Sequence, residues 1–175
     1  GLIDVPVAVN LSSMQFRADG FVDAVAQVLR EEGVPGQWLE LELTERMLMD
    51  DVGDVKRTLQ QLRALGMRVS VDDFGTGYSS LAHLKELPID GMKIDRSFVR
   101  DLPHQRGSVA IARAVVQMAQ GLCLTVVAEG VENEDQRRFL VEQGCDLLQG
   151  ELISPPLPAA ELTQWILRRR AGLSA

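Results

Sequence analysis

Apolar residues recur along the chain in six short runs, each closing on polar residues. They are PVAVNLS (6–12), WLELELTE (38–45), RVSVDDFG (68–75), GMKIDRSF (91–98), LTVVAEGV (124–131) and DLLQGELI (146–153). Runs of this length, rich in Val, Ile and Leu, predict strands. Between most of them the apolar positions change to helical spacing. FVDAVAQVLREEG (21–33) puts Phe21, Val25, Val28 and Leu29 on one face, and VGDVKRTLQQLRALG (52–66) does the same with Val55, Leu59, Leu62 and Leu65. VAIARAVVQMAQGL (109–122) and EDQRRFLVEQG (134–144) repeat the pattern, and each helix ends at or next to a glycine.

Strand alternating with helix predicts βαβ units and a parallel sheet. Helices on both faces would make an open doubly wound sheet, and one outer helical layer would make a barrel. The spacing fits a (β/α)₈ barrel, which needs about 250 residues. This chain has 175 and about six units. It is therefore expected to be either an open sheet or a parallel (β/α)₈-type barrel without its first two strands. Gly1 leading almost directly into a strand favours the second.

Composition narrows the partners. At 46% hydrophobic and 25% charged, the chain suits one domain with a sizeable core, and its net charge of −7 argues against binding duplex nucleic acid through a general field. An anionic ligand stays compatible, because a bound cation reverses the local sign. Cys123 and Cys145 lie in apolar stretches with no Cys/His cluster, which suits buried thiols in a reducing, cytoplasmic compartment. No signal peptide and no apolar run long enough to span a bilayer stands out, so no membrane contact is expected from this segment.

The polar ends of the runs carry the candidate chemistry. In a parallel barrel the carboxyl ends of the strands form the functional face. In order they offer Asn10, Glu42 and Glu45, Asp72 and Asp73, Lys93 and Asp95, Glu129 and Glu132, and Gln149. Asp95 alone reads as a helix cap or turn residue, and Glu132 equally as a helix-start carboxylate. Six strands ending this way are harder to attribute to caps. Converging carboxylate and amide oxygens suit Mg²⁺ or Mn²⁺. Two such ions about 3.5–4 Å apart would stabilise the adjacent aspartates, and paired ions of this kind commonly cleave phosphate esters. His83 and His104 are isolated, and Arg168, Arg169 and Arg170 read as the solvated end of a helix starting near Ala159.

At this point the chain resembles the EAL domain family, the cyclic di-GMP phosphodiesterases. The matching pieces are VNLS (9–12), ELTE (42–45), DDFGTGYSSL (72–81), LPIDGMKIDRSFV (87–99), VVAEGVE (126–132), GCDLLQG (144–150) and SPPLPA (154–159). The resemblance implies a modified barrel whose first strand is antiparallel, with residues 1–175 forming one EAL domain truncated on its N-terminal side. It implies a two-metal site for Mg²⁺ or Mn²⁺ in which Asn10, Glu42 and Asp72 ligate the first ion. Asp72 bridges to the second, which Asp73 and Glu129 help to hold. Lys93 then positions the attacking water, Gln149 faces substrate, and Glu45 anchors the loop 74–80. The implied reaction is hydrolysis of cyclic di-GMP to linear pGpG. The implied partners are cyclic di-GMP, a second copy in a homodimer, and upstream sensory or GGDEF domains in the parent chain.

Two departures bear on activity. The signature Glu-Ala-Leu, whose glutamate ligates metal in the family, and the arginine after it belong to a strand upstream of this chain. Where relatives carry an aromatic residue near Glu151 and Ile153 and a basic one near Pro155, this chain carries Glu, Ile and Pro. Three readings stay open: the larger part of a metal-dependent phosphodiesterase, impaired when alone; an inactive module that binds cyclic di-GMP or a partner; or a non-functional fragment.

Overall fold

The computed structural model describes residues 6–49, 52–75 and 81–171. Among them, β1 (Val7–Asn10), β2 (Leu39–Thr44), β3 (Arg68–Phe74), β4 (Gly91–Ile94), β5 (Thr125–Ala128) and β6 (Leu147–Leu148) form one sheet. Every pairing is parallel and the spatial order follows the sequence, β1-β2-β3-β4-β5-β6. A doubly wound sheet reverses its order at a switch point, whereas a sheet that grows in one direction keeps its right-handed crossovers on one face. The molecule is therefore a half-barrel of six βα units, as the alternation predicts. The expected start of a strand beside Gly1 lies outside the described residues.

The helices are α1 (Ser13–Phe16), α2 (Phe21–Glu32), α3 (Glu45–Met49), α4 (Val52–Ala64), α5 (Leu81–Leu84), α6 (Arg96–Val99), α7 (Arg106–Gly121), α8 (Glu134–Gln143) and α9 (Ala159–Arg170). Leu41, Leu43, Val69, Val71, Met92, Ile94, Val126 and Ala128 from the strands meet Leu59, Leu62, Ala112, Val116 and Leu140 from α4, α7 and α8 in one core. Burying each large aliphatic side chain contributes about 1.5–3 kcal/mol. That layer fixes the strands from outside, and the intervening strand residues point to the opposite face. There the register sets Asn10 beside Glu42, Glu42 beside Ser70, and Ser70 beside Gly91.

The structure departs from the predicted elements in a few places. The fourth run stops as a strand at Ile94, because Asp95 turns the chain and its Oδ1 accepts the Ser97 N–H to cap α6. Glu45 opens α3 instead of closing a strand. The sixth strand shrinks to two residues. Val28, expected on the buried face of α2, is 56% exposed. At the β1 edge, Val7 and Val9 are 59% and 44% exposed. The arginines at the end of α9 are solvated, with Arg169 stacked over Trp165. No described helix is long and apolar enough to cross a membrane.

Candidate active site

Lys93, near the end of β4, is the centre of the polar face. Its side chain is only 5% exposed, and an ammonium so buried requires partners. Its Nζ lies 2.6 Å from Glu42 Oε1, 2.5 Å from Glu129 Oε1 and 3.7 Å from Asp72 Oδ1. The partners come from three elements: Glu42 from β2, Asp72 from β3, and Glu129 from the residue after β5. Backbone hydrogen bonds fix the strand ends, with Glu129 N–H donating to Ile94 O and Leu11 N–H to Glu42 O.

The adjacent aspartates are accommodated by a bulge. Val71 pairs with Met92 and Phe74 with Ile94, so β3 spends one more residue than β4 over the same span. Asp73 adopts a left-handed conformation, φ 54°, and its N–H donates to Asp72 Oδ1. In a regular strand neighbouring side chains face opposite ways; the bulge instead leaves Asp73 within reach of Asp72, Asp95 and Lys93. Phe74 then returns to the core.

The electrostatics show a site short of positive charge. Burial, then the neighbouring Asp72 and Asp95, raises the Asp73 carboxyl above its ordinary range. Burial also raises Glu129, against the opposing effect of Lys93. Burial alone would lower Lys93, but its hydrogen bonds to Glu129 and Glu42 outweigh that and the ammonium is favoured. With all groups ionised, Glu42, Asp72, Asp73 and Glu129 outnumber the single ammonium by three charges.

The remaining predicted residues are placed less tightly. Asn10 stands opposite Glu42 but is exposed on the edge strand. Gln149 is exposed, held by its backbone between Ala128 O and Val131 N–H. Glu45 is 4% exposed and its Oε2 accepts the Gly75 N–H at 3.0 Å, at the start of the predicted loop; residues 76–80 lie outside the described residues. Asp95 caps α6 and also meets Asp73. Glu132, His83 and His104 are exposed.

Sequence reasoning missed Gln136. It is 1% exposed; its Oε1 accepts the Glu132 and Asn133 N–H groups, and its Nε2 donates to Arg100 O. It thus braces the turn that follows Glu129. The Asn133-x-x-Gln136 capping box was the available signal.

Carboxylates with a neighbouring amide fit a hard divalent cation in kind. As they stand, no three carboxylate, imidazole or thiol groups among the described residues are gathered closely enough to enclose an ion. The Lys93 ammonium lies between Glu42, Glu129 and Asp72 instead.

The fold and this lysine-centred strand end define a parallel α/β half-barrel with a carboxylate-rich centre at the carboxyl ends of its strands. The chain belongs to the EAL domain family, whose profile matches residues 2–156. It is 47% identical over 160 residues to the cyclic di-GMP phosphodiesterase NbdA of Pseudomonas aeruginosa, covering 91% of this chain and 20% of NbdA. It superimposes with a TM-score of 0.87 on the MucR phosphodiesterase of the same organism in complex with c-di-GMP. That match has 46% identity over 90% of this chain and 64% of the other. The EAL domain of Mycobacterium smegmatis DcpA gives a TM-score of 0.89 at 41% identity, covering 93% and 73%. The chain spans about a fifth to a quarter of the length of the curated relatives it matches.

Proposed function

We propose that this chain carries most of a divalent-cation site that, in the whole protein, hydrolyses cyclic di-GMP to linear pGpG. The observation that carries this reading is the excess of carboxylates around one buried ammonium, a charge balance that asks for further cations. Asn10, Glu42 and Asp72 would hold one Mg²⁺ or Mn²⁺, and Asp72, Asp73 and Glu129 a second. Such ions supply a nucleophile near neutral pH and neutralise charge building up on the phosphate. One of the three N–H donors of Lys93 would orient the attacking water. Water adds to phosphorus, the ribose oxygen leaves with a proton, and one phosphodiester opens. Glu45 keeps the Gly75 backbone in place beside Asp73, and Gln149 faces substrate from the end of β6.

A binding module that does not cleave is the second reading. The exposed Glu151, next to Gln149 and Gly150, favours it by adding negative charge where a dianionic ligand would lie. Incubating the whole protein that contains this chain with cyclic di-GMP and Mn²⁺ separates the two. The expected result is pGpG, abolished by Glu42→Gln. Tight binding without any product would establish the second reading and overturn the first.

A further inference from the structure

Beside the carboxylate-rich centre the strand-end face changes sign. A cleft of about 610 Å³ opens between the segment after β1 and the helix after β2. Leu11, Thr44 and Met47 form its buried or half-buried lining, and Met14, Arg17 and Arg46 its exposed lining. No acidic residue is among the described lining residues, in a chain whose net charge is −7. Local structure holds both arginines in place. The Ser12–Gln15 capping box closes α1, and Arg17 is the C-cap residue of that turn. Glu45 and Arg46 open α3. The Glu45 carboxylate accepts the Gly75 N–H, and Arg46, one residue on and about 100° around the helix, lines the cleft. The cleft adjoins the candidate site: Thr44 is in register with Asp72, and the Leu11 N–H donates to Glu42 O.

The chemistry of this lining suits a nucleotide. Guanidinium groups present paired N–H donors that match phosphate oxygens. The thioethers of Met14 and Met47, with Leu11, offer the soft apolar surface that a flat base covers. A cleft of this size takes a ligand of about that bulk. We propose that the cleft between Arg17 and Arg46 is the subsite for the half of cyclic di-GMP that is not cut, the two guanidiniums holding its phosphate and the methionine-lined surface its base. This rests on the cyclic di-GMP reading above and adds a specificity determinant to it. A dianionic ligand laid against Glu42, Asp72 and Glu129 alone meets repulsion. Two cations in the adjoining cleft draw it in from one side and fix which phosphodiester faces the centre. A mononucleotide fills only one of the two places, so the arrangement selects a ligand of two linked nucleotides.

The test is steady-state kinetics and calorimetric binding of cyclic di-GMP on the whole protein that contains this chain. It compares the parent with Arg46→Ala, Arg46→Gln and Arg17→Ala, and binding is read with Glu42→Gln also in place so that the ligand is not consumed. The Arg46 variants are expected to raise KM and Kd about tenfold to a hundredfold, with a smaller effect on kcat and an unchanged melting temperature. Arg17→Ala should act in the same direction. GMP is expected to compete with cyclic di-GMP in the parent and to lose that competition in the Arg46 variants. Competition by inorganic phosphate as strong as that by GMP overturns the proposal, because a bare anion then suffices. Unchanged KM and Kd in the folded Arg46 variants, or a loss confined to kcat, overturns the subsite while pGpG release by the parent keeps the cleavage reading intact. Binding weakened by the Arg46 variants in a parent that releases no pGpG overturns cleavage and supports the subsite. A parent that neither binds nor cleaves cyclic di-GMP overturns both.

Discussion

Asp72 and Asp73 adjoin in sequence, yet the β3 bulge gives them different surroundings. Asp72 lies toward Lys93 and accepts the next residue's N–H; Asp73, in its left-handed conformation, meets Asp95. A bridging carboxylate loosens both ions when it is lost, and their mutual repulsion is then less compensated. Asp72→Asn is therefore expected to weaken Mn²⁺ binding about tenfold more than Asp73→Asn, measured by titration. A larger loss for Asp73→Asn would assign the bridge to that residue. Cys145 offers a separate check on burial. Its Sγ donates to the Leu147 carbonyl, and burial pushes the thiol from its ordinary value of 9.0 up to about 11. The folded chain then keeps this proton more firmly than the unfolded one. Its contribution to stability is intact below about pH 9 and is lost as pH rises toward 11. Relative to Cys145→Ala, the parent should lose up to about 2 kcal/mol between pH 8 and pH 11 in urea unfolding. Parallel pH profiles for the two proteins would show that the thiol is not shielded in solution.

Single hydrogen bonds and close contacts decide how the elements present these residues. The Glu45 carboxylate at the start of α3 holds the Gly75 N–H just past β3. Leaving that partly buried N–H unpaired costs about 1–3 kcal/mol, so Glu45→Ala should speed amide exchange at Gly75 by about tenfold or more, read by NMR. Unchanged exchange would mean the bond does not persist in solution. Beyond β6, a Cβ on Gly150 would lie 2.3 Å from both Val131 N and Val131 O. Gly150→Ala must therefore push apart the contact between Gln149 and Val131, with an expected loss of about 1–3 kcal/mol or more in urea unfolding. Stability equal to the parent would refute so close an approach. At this scale the sequence was readable where period was long. The strands read as short apolar or alternating runs that close on polar residues, and α2, α4, α7 and α8 each span enough turns for a 3.6-residue pattern. The helices α1, α3, α5 and α6 were not readable, since one turn carries too little period. Two of them carry a cap signal: Asp95 for α6, and the Ser12-x-x-Gln15 box, which the sequence reading passed over, for α1.

The whole molecule joins residues that sequence alone shows only as a series of polar strand ends. Lys93 and Glu42 are 51 positions apart and meet because β2, β3 and β4 are consecutive neighbours. The sequence showed which strands end in carboxylates; it did not show which carboxylates touch the lysine, nor the bulge that turns Asp73. For the proposed function, the same architecture would separate binding from turnover. Glu42, Asp72 and Lys93 sit on the inner strands β2, β3 and β4, and Glu129 directly follows the fourth inner strand, β5. Each of these strands is paired on both sides. Asn10 instead lies on β1, which among the described residues pairs only with β2 and leaves Val7 and Val9 exposed. Gln149 follows the two-residue β6 at the other edge. On the proposed function, cation binding would depend mainly on the inner strands, whereas in-line attack would also need the substrate fixed to within about 1 Å by groups at both edges. This 175-residue polypeptide is therefore expected to bind Mn²⁺ through Glu42, Asp72 and Glu129. It should release pGpG from cyclic di-GMP about 100-fold more slowly than the longer MucR phosphodiesterase chain under the same conditions, a loss of about 2.7 kcal/mol in transition-state stabilisation. Calorimetry and product chromatography on the two proteins side by side make the comparison. Turnover equal to the longer chain would show that the edge strands are already ordered enough for catalysis; loss of Mn²⁺ binding as well would show that the inner strands do not suffice even for the ion.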